Sequence, residues 1–194
     1  MTILLTAFDA FGGDADNISE CLLRALPDRL GDASLAKLLL PTVFGEAAAR
    51  AVAAAERLRP DAIVCLGQAA GRRAVTPERV AINLMDASRP DNAGLEPHEE
   101  PIEPGGPAAC FSTLPLRAMV EAVCAEGVPA QISNTAGTFV CNSLMYAMLR
   151  WTERNAPALP CGFVHLPRPD AGLSREDLQR GLCAALRVLA RDGQ

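Results

Sequence analysis

A chain of 194 residues is long enough for one domain with a substantial core. Hydrophobic residues make up 49%, yet no run of 18 apolar residues occurs, so no membrane span is expected. The formal net charge of −5 argues against nucleic acid as a partner, because a phosphate backbone needs a basic face. Seven cysteines is an odd number, and no CxxC pair occurs. That pattern disfavours a disulfide framework or structural zinc and points to a reducing cytoplasm. The first residues, MTILLTAFDA, lack the basic region of a secretory signal.

Taken in order, Ile3 to Phe8 is a short apolar run that reads as a buried strand. It leads into DAFGGDADN, a turn-rich loop in which Phe8 and Phe11 flank a Gly-Gly pair. Aromatics placed so suggest a ring-shaped ligand; capping the core beneath a loop is the equal alternative. The Gly-Gly lacks the spacing of a nucleotide-binding fingerprint. Asn17 to Leu26 reads as a helix closed by Pro27, Leu35 to Val43 as a strand, and alanine-rich Phe44 to Leu58 as a helix stopped by Pro60. Asp61 to Gly67 is continuously apolar, as a strand buried on both faces would be. It ends in GQAAGRR, at the carboxyl end where open α/β sheets place ligands.

Glu78 to Leu84 alternates like a strand. Residues 86–107 are rich in Pro, Gly and acid and too long for an ordinary connection, which implies a functional flap or an interface arm. Leu116 to Ala125 is helical in pattern and Ala130 to Ser133 is extended. The turn NTAG follows, and apolar residues from about Thr138 recur at helical spacing. Cys161 to Leu166 reads as a strand. Ser174 to Ala190 reads as an amphipathic helix, with Ser174 as N-cap and Asp177 in the first turn. Strands alternating with helices predict a single-domain α/β/α sandwich with a twisted, mostly parallel mixed sheet over residues 1–194.

Cys141 falls in or near the first turn of the fourth predicted helix. Unpaired backbone N–H groups and the helix dipole favour thiolate there, and the same N–H groups can hold a developing oxyanion. Most free cysteines are small buried apolar residues, and this stretch alone does not lift Cys141 out of that class. The other six cysteines fall inside strands or helices, at a strand start or near the 86–107 segment. Only two histidines occur. His98 lies in the proline-broken acidic segment, whereas His165 ends an apolar strand at the ligand edge of the sheet. Cys141 and His165 thus form a candidate nucleophile–base pair. Such a pair needs a third group to orient the imidazole, and Glu78 and Asp91 both qualify.

The motifs FDAFGG (Phe8–Gly13), LGQAAGR (Leu66–Arg72), ERVAIN (Glu78–Asn83), PDNAG (Pro90–Gly94), STLP (Ser112–Pro115), SNTAGTFVCN (Ser133–Asn142) and FVHLP (Phe163–Pro167) occur in one consistent order. In these the chain closely resembles the pyroglutamyl peptidase I family of cysteine exopeptidases, over nearly its whole length. The resemblance implies Cys141 as nucleophile, His165 as base and Glu78 as catalytic acid. It implies Phe8, Phe11 and Phe139 around a pyroglutamyl ring, with Asn17 and Gln68 also on the substrate. It further implies peptides with an N-terminal pyroglutamate as partners, no metal or organic cofactor, and a homo-oligomer, in this family a tetramer. The chain departs from the family pattern at Ile18 (usually proline), Ala70 (usually glycine), Ser143 (often histidine) and in RPDAG after Pro167 (usually aromatic). Two other readings fit the same architecture: a nucleoside phosphorylase- or hydrolase-like enzyme, and a binding homologue without turnover.

Overall fold

The computed structural model describes residues 1–169 and 172–191, so Asp170 and Ala171 of the RPDAG tail lie outside the described residues. Its centre is β1 (Thr2–Phe8), whose apolar run is buried from Ile3 onward. It pairs in parallel with β3 (Ala33–Leu40) on one side and β4 (Ala62–Gln68) on the other. Next to β4 lies β8 (Cys161–Leu166), also parallel. Short antiparallel strands, β2 (Arg29–Leu30) and β5 (Thr76–Pro77), close the two edges. The order is β2-β3-β1-β4-β8-β5, the mostly parallel mixed sheet that the alternation predicts.

Every residue of β4 and β8 is buried, because helices cover both faces. Successive side chains of a strand point to opposite faces. Ala62, Val64 and Leu66 therefore join one core, with α1 (Ile18–Ala25), α3 (Leu116–Ala125) and α5 (Arg175–Arg191). Ile63 and Cys65 join the other, with α2 (Glu46–Leu58) and α4 (Val140–Asn155). The chain leaves β1 for β3 on one side and returns through α2 to β4 on the other, so the connections diverge between β1 and β4. The loops after those two strands frame a crevice at the carboxyl edge of the sheet, where such folds bind ligands.

The expected strand at Glu78 to Leu84 is shorter. Only Val80–Ile82, here β6, is a strand, and it pairs with β7 (Ala109–Phe111) in a separate small sheet. Glu78 sits at the hand-over between sheets, its N–H donating to the Phe163 carbonyl at 2.8 Å. Ala130 to Ser133 makes two isolated bridges, Val75 to Ala130 and Glu78 to Ser133, and no continuous strand. Pro77 faces that run and has no N–H to donate to the ladder. The expected strand from Leu35 to Val43 starts two residues earlier, at Ala33, and stops at Leu40, because Pro41 follows.

Residues 86–107 form no helix or strand but are pinned along their length. Asp91 accepts from the N–H groups of Ala93 and Leu95 at 2.8 and 2.9 Å, and from Phe44 N–H at 2.9 Å. The Asn92 amide donates to the Ala10 carbonyl at 2.9 Å. Glu103 takes Arg150 of α4 at 2.9 Å and also pairs with Arg154. These bonds tie the segment to the loop after β1, to the residues before α2 and to the C-terminal half of α4, while Asp86 to Arg89 line the crevice.

Candidate active site

The turn before α4 is built by its own polar residues. Ser133 Oγ accepts from Thr135 N–H at 3.3 Å, and Thr135 Oγ1 accepts from Gly137 N–H at 3.1 Å. Gly137 has φ +78°, a left-handed conformation that favours glycine. Phe139 is the N-cap and makes no side-chain cap bond, so the first N–H groups of α4 are left open. Cys141 is the second residue of that helix. Its sulfur rests against Gly67 of β4: a methyl group on Gly67 would lie 3.1 Å from Sγ. Gly67 in turn is the register partner of His165 on β8. One glycine thus lets the thiol settle onto the sheet beside the imidazole.

His165 Nδ1 lies 2.6 Å from Glu78 Oε1, and both side chains are buried. Arg72, from the loop after β4, also donates to Glu78 Oε1. Burial pushes the Cys141 thiol up to about 12, with the Glu78 charge adding to it. Arg72 and the cysteine's own N–H pull the other way. Burial lowers His165 from its usual value, opposed by Glu78. Both shifts favour a neutral thiol beside a neutral imidazole. Burial thus opposes the helix start, which favours thiolate, at a cysteine that is half-buried in the cavity wall. An imidazole whose Nδ1–H is held by a carboxylate has Nε2 free to take a proton.

The crevice is a cavity of about 470 Å³, with Cys141 and His165 in its wall. Phe11 and Phe139 also line it, their ring centroids 6.0 Å apart. Phe44 supports Phe139 edge-on at 5.3 Å. The Arg89 guanidinium lies 4.8 Å over the Phe11 ring and 5.9 Å from that of Phe139. Gln68 lines the cavity, and its amide oxygen accepts from Ile18 N–H at 3.0 Å. A proline at position 18 would have no such hydrogen. Ala70 is also in the wall, while Ser143 is buried inside α4.

Two expected substrate contacts lie elsewhere. Phe8 is buried below the cavity against Phe163, with centroids 6.4 Å apart. Asn17 is the buried N-cap of α1; its oxygen accepts from Ser19 N–H at 3.0 Å and its amide donates to the Asp9 carbonyl at 2.9 Å. Of the two candidate carboxylates, Asp91 is committed to the N–H groups of Phe44, Ala93 and Leu95, so Glu78 stands alone behind His165. His98 is exposed, with Nδ1 4.0 Å from Asp86. Sequence reasoning missed Arg72 and Arg89, and also the ion pair between Asp14 and Arg168 in the cavity wall. The traces of Arg72 were its place in the loop after a buried strand and at the end of the LGQAAGR motif, neither of which showed that it reaches Glu78. Among the described residues no group of three or more His, Cys, Asp or Glu is placed to hold a metal, and no helix is long and apolar enough to cross a membrane.

A thiol at an open helix start, an imidazole on the adjoining strand end and a buried carboxylate behind it define a class: α/β proteins equipped for acyl transfer through sulfur. A sequence model of the pyroglutamyl peptidase family matches residues 1–185. The pyrrolidone-carboxylate peptidase of Levilactobacillus brevis is 43% identical over 198 aligned residues, covering 97% of each chain. That of Streptococcus pyogenes serotype M4 is 45% identical, covering 96% of this chain and 91% of its own. Pyroglutamyl peptidase I of Bacillus amyloliquefaciens superposes with a TM-score of 0.91 at 42% identity, covering 95% of this chain and 94% of its own. A mutant pyrrolidone carboxyl peptidase of Pyrococcus furiosus superposes with a TM-score of 0.94 at 34% identity, covering 100% of both chains. The chain belongs to the pyroglutamyl peptidase family.

Proposed function

We propose that the protein is a cysteine exopeptidase that removes an N-terminal pyroglutamyl residue from peptides by acyl transfer through Cys141. The observation that carries this reading is the 2.6 Å contact between His165 Nδ1 and Glu78, on the strand position next to the glycine beneath the Cys141 sulfur. His165 Nε2 takes the thiol proton as Sγ attacks the pyroglutamyl carbonyl carbon. The open N–H groups at the start of α4 receive the oxyanion. The imidazolium, stabilised by Glu78, returns the proton to the leaving amine as the C–N bond breaks. Water, deprotonated by the same imidazole, then cleaves the thioester and frees pyroglutamate and the thiol.

Specificity follows from charge. The pyroglutamyl ring is a neutral lactam, so its nitrogen enters an aromatic slot between Phe11 and Phe139 without shedding a charge. An ordinary ammonium terminus would have to shed water against the two rings and beside the Arg89 guanidinium that lies over them, a cost of several kcal/mol. Discrimination by rejection needs few specific contacts. Gln68, tied to Ile18, is a polar group of the cavity wall suited to that role, and Asp86 to Arg89 complete the wall.

We further infer that the protein acts in the cytoplasm as a homo-oligomer. Seven free cysteines suit a reducing compartment. Phe111, 66% exposed on β7, suits a contact between copies, and light scattering behind a sizing column tests it.

The function is tested by hydrolysis of a chromogenic pyroglutamyl amide, with prolyl and glutamyl amides as controls. Only the first should be cleaved, and Cys141→Ser should remove nearly all turnover while the chain stays folded. Equal cleavage of the prolyl amide, or wild-type turnover by Cys141→Ser, would overturn the proposal.

A further inference from the structure

Arg72 reaches both the carboxylate behind His165 and the turn that leads into α4. It lies in the loop after β4, and its side chain is 24% exposed. Nη1 donates to Glu78 Oε1 and to Thr76 Oγ1. Nη2 donates at 2.8 Å to the carbonyl of Thr135, in the turn that leads into α4. Oε1 is the same oxygen that meets His165 Nδ1 at 2.6 Å. The other oxygen of Glu78, Oε2, is buried with no hydrogen-bond partner among the described residues. The carboxylate is therefore held through one oxygen only, from two sides: by His165 and by Arg72. Without Arg72, nothing on the second side would fix where Oε1 stands.

We propose that Arg72 is a positioning residue, whose guanidinium locks Glu78 to the turn carrying the Cys141 helix and so keeps imidazole and thiol in register. The inference rests on the Cys141–His165–Glu78 reading above. A guanidinium suits the task because its planar fork sends donors in two directions. A lysine ammonium carries the charge, but its single point cannot serve Glu78 and the Thr135 carbonyl with the same geometry. Arg72 also places a positive charge beside two groups that must exchange a proton. The charged groups facing that exchange are Glu78 and Arg72 themselves; Asp86, Arg89 and the Asp14–Arg168 pair lie in the cavity wall.

The test compares Arg72→Lys and Arg72→Gln with wild type in kcat, KM, the pH profile of kcat/KM and unfolding by urea. Arg72→Gln should lose roughly 10- to 100-fold in kcat, the scale of a misplaced catalytic group, with KM little changed. Its acid limb should move to higher pH, because a cation that disfavours imidazolium has gone. A purely structural residue would not move that limb. Arg72→Lys should keep the limb near wild type yet still lose about tenfold or more in kcat, because it restores charge without the fork. If Arg72→Gln does not fold, Arg72→Lys decides. Wild-type kcat in Arg72→Lys, or a loss confined to KM, would overturn the proposal. Cys141→Ser and His165→Ala run beside them: if those turn over normally, the site reading fails and this inference with it. If they are inactive and Arg72→Lys is normal, only the inference fails.

Discussion

Gly67→Ala measures how closely the thiol and the sheet are fitted. A methyl group at Gly67 would lie 2.7 and 2.9 Å from two carbons of the Phe163 ring, and 3.1 Å from Cys141 Sγ. Carbon atoms rest at about 3.5–4.0 Å, so something must move by close to an ångström. Phe163 has little room: it is fully buried and packed at a tilt against the His165 ring, with centroids 4.7 Å apart. The β4 backbone is held by β1 on one side and β8 on the other. Relief must then come from the thiol, from the imidazole behind Phe163, or from both. Overpacking of this kind costs about 1–3 kcal/mol in stability. An ångström of misplacement in a reacting group costs up to roughly 100-fold in rate. We predict that Gly67→Ala lowers the urea midpoint and cuts kcat for a pyroglutamyl amide at least about tenfold. Gly71→Ala is the stability control, since a methyl group there meets nothing within 4 Å. A Gly67→Ala enzyme with wild-type midpoint and turnover would refute the claim that this glycine sets the seat of the thiol.

His165→Ala should cost about 100-fold or more in turnover, the scale of lost general-base catalysis, while exposed His98→Ala should change it little; the reverse ranking would exchange their roles. Because burial lowers His165 from 6.5, the neutral base should persist as pH falls through that value, so the acid limb of kcat/KM should lie below 6.5; a limb at or above it would contradict the burial argument. Glu78→Gln keeps the shape but removes the charge that stabilises imidazolium, so turnover should fall with the fold retained; an unimpaired variant would return Asp91 to consideration. Phe11→Ala should cost roughly 1–3 kcal/mol in kcat/KM, while alkylation of Cys141 by iodoacetamide stays near the wild-type rate. Parallel loss of alkylation would mean that Phe11 supports the helix and does not read the ring.

The frame was legible because its signals are local. β4 and β8 are apolar along their whole length, a pattern that a strand covered on both faces requires. The α3 pattern ran from Leu116 to Ala125, and the helix occupies those residues. The edges were not legible. β2, β5 and β7 are two or three residues long, too short for any periodicity; β2 and β5 exist because a longer strand lies alongside, and β7 because β6, equally short, pairs with it. The extended run after Ala130 failed as a strand for a reason outside itself, a proline on the facing segment.

The site divides along the same line. Cys141 and His165 could be singled out by their places in their own elements, and two histidines left little choice. Glu78 stood level with Asp91 on the residues alone, and its full burial behind His165 appears only in the fold. A buried carboxylate is unfavourable unless groups around it stabilise its charge, and those groups come from other parts of the chain: His165, 87 residues away, and Arg72 in the preceding loop. The opposing push on the thiol was hidden for the same reason. The helix start, a local feature, favours thiolate, but the burial that pushes the Cys141 thiol up to about 12 comes from outside its helix, from β4 and the cavity walls. Position in an element can nominate a nucleophile. Whether it rests charged or neutral depends on how that helix start balances against the surfaces that fold over it, which here push the thiol up beside an imidazole placed to take its proton.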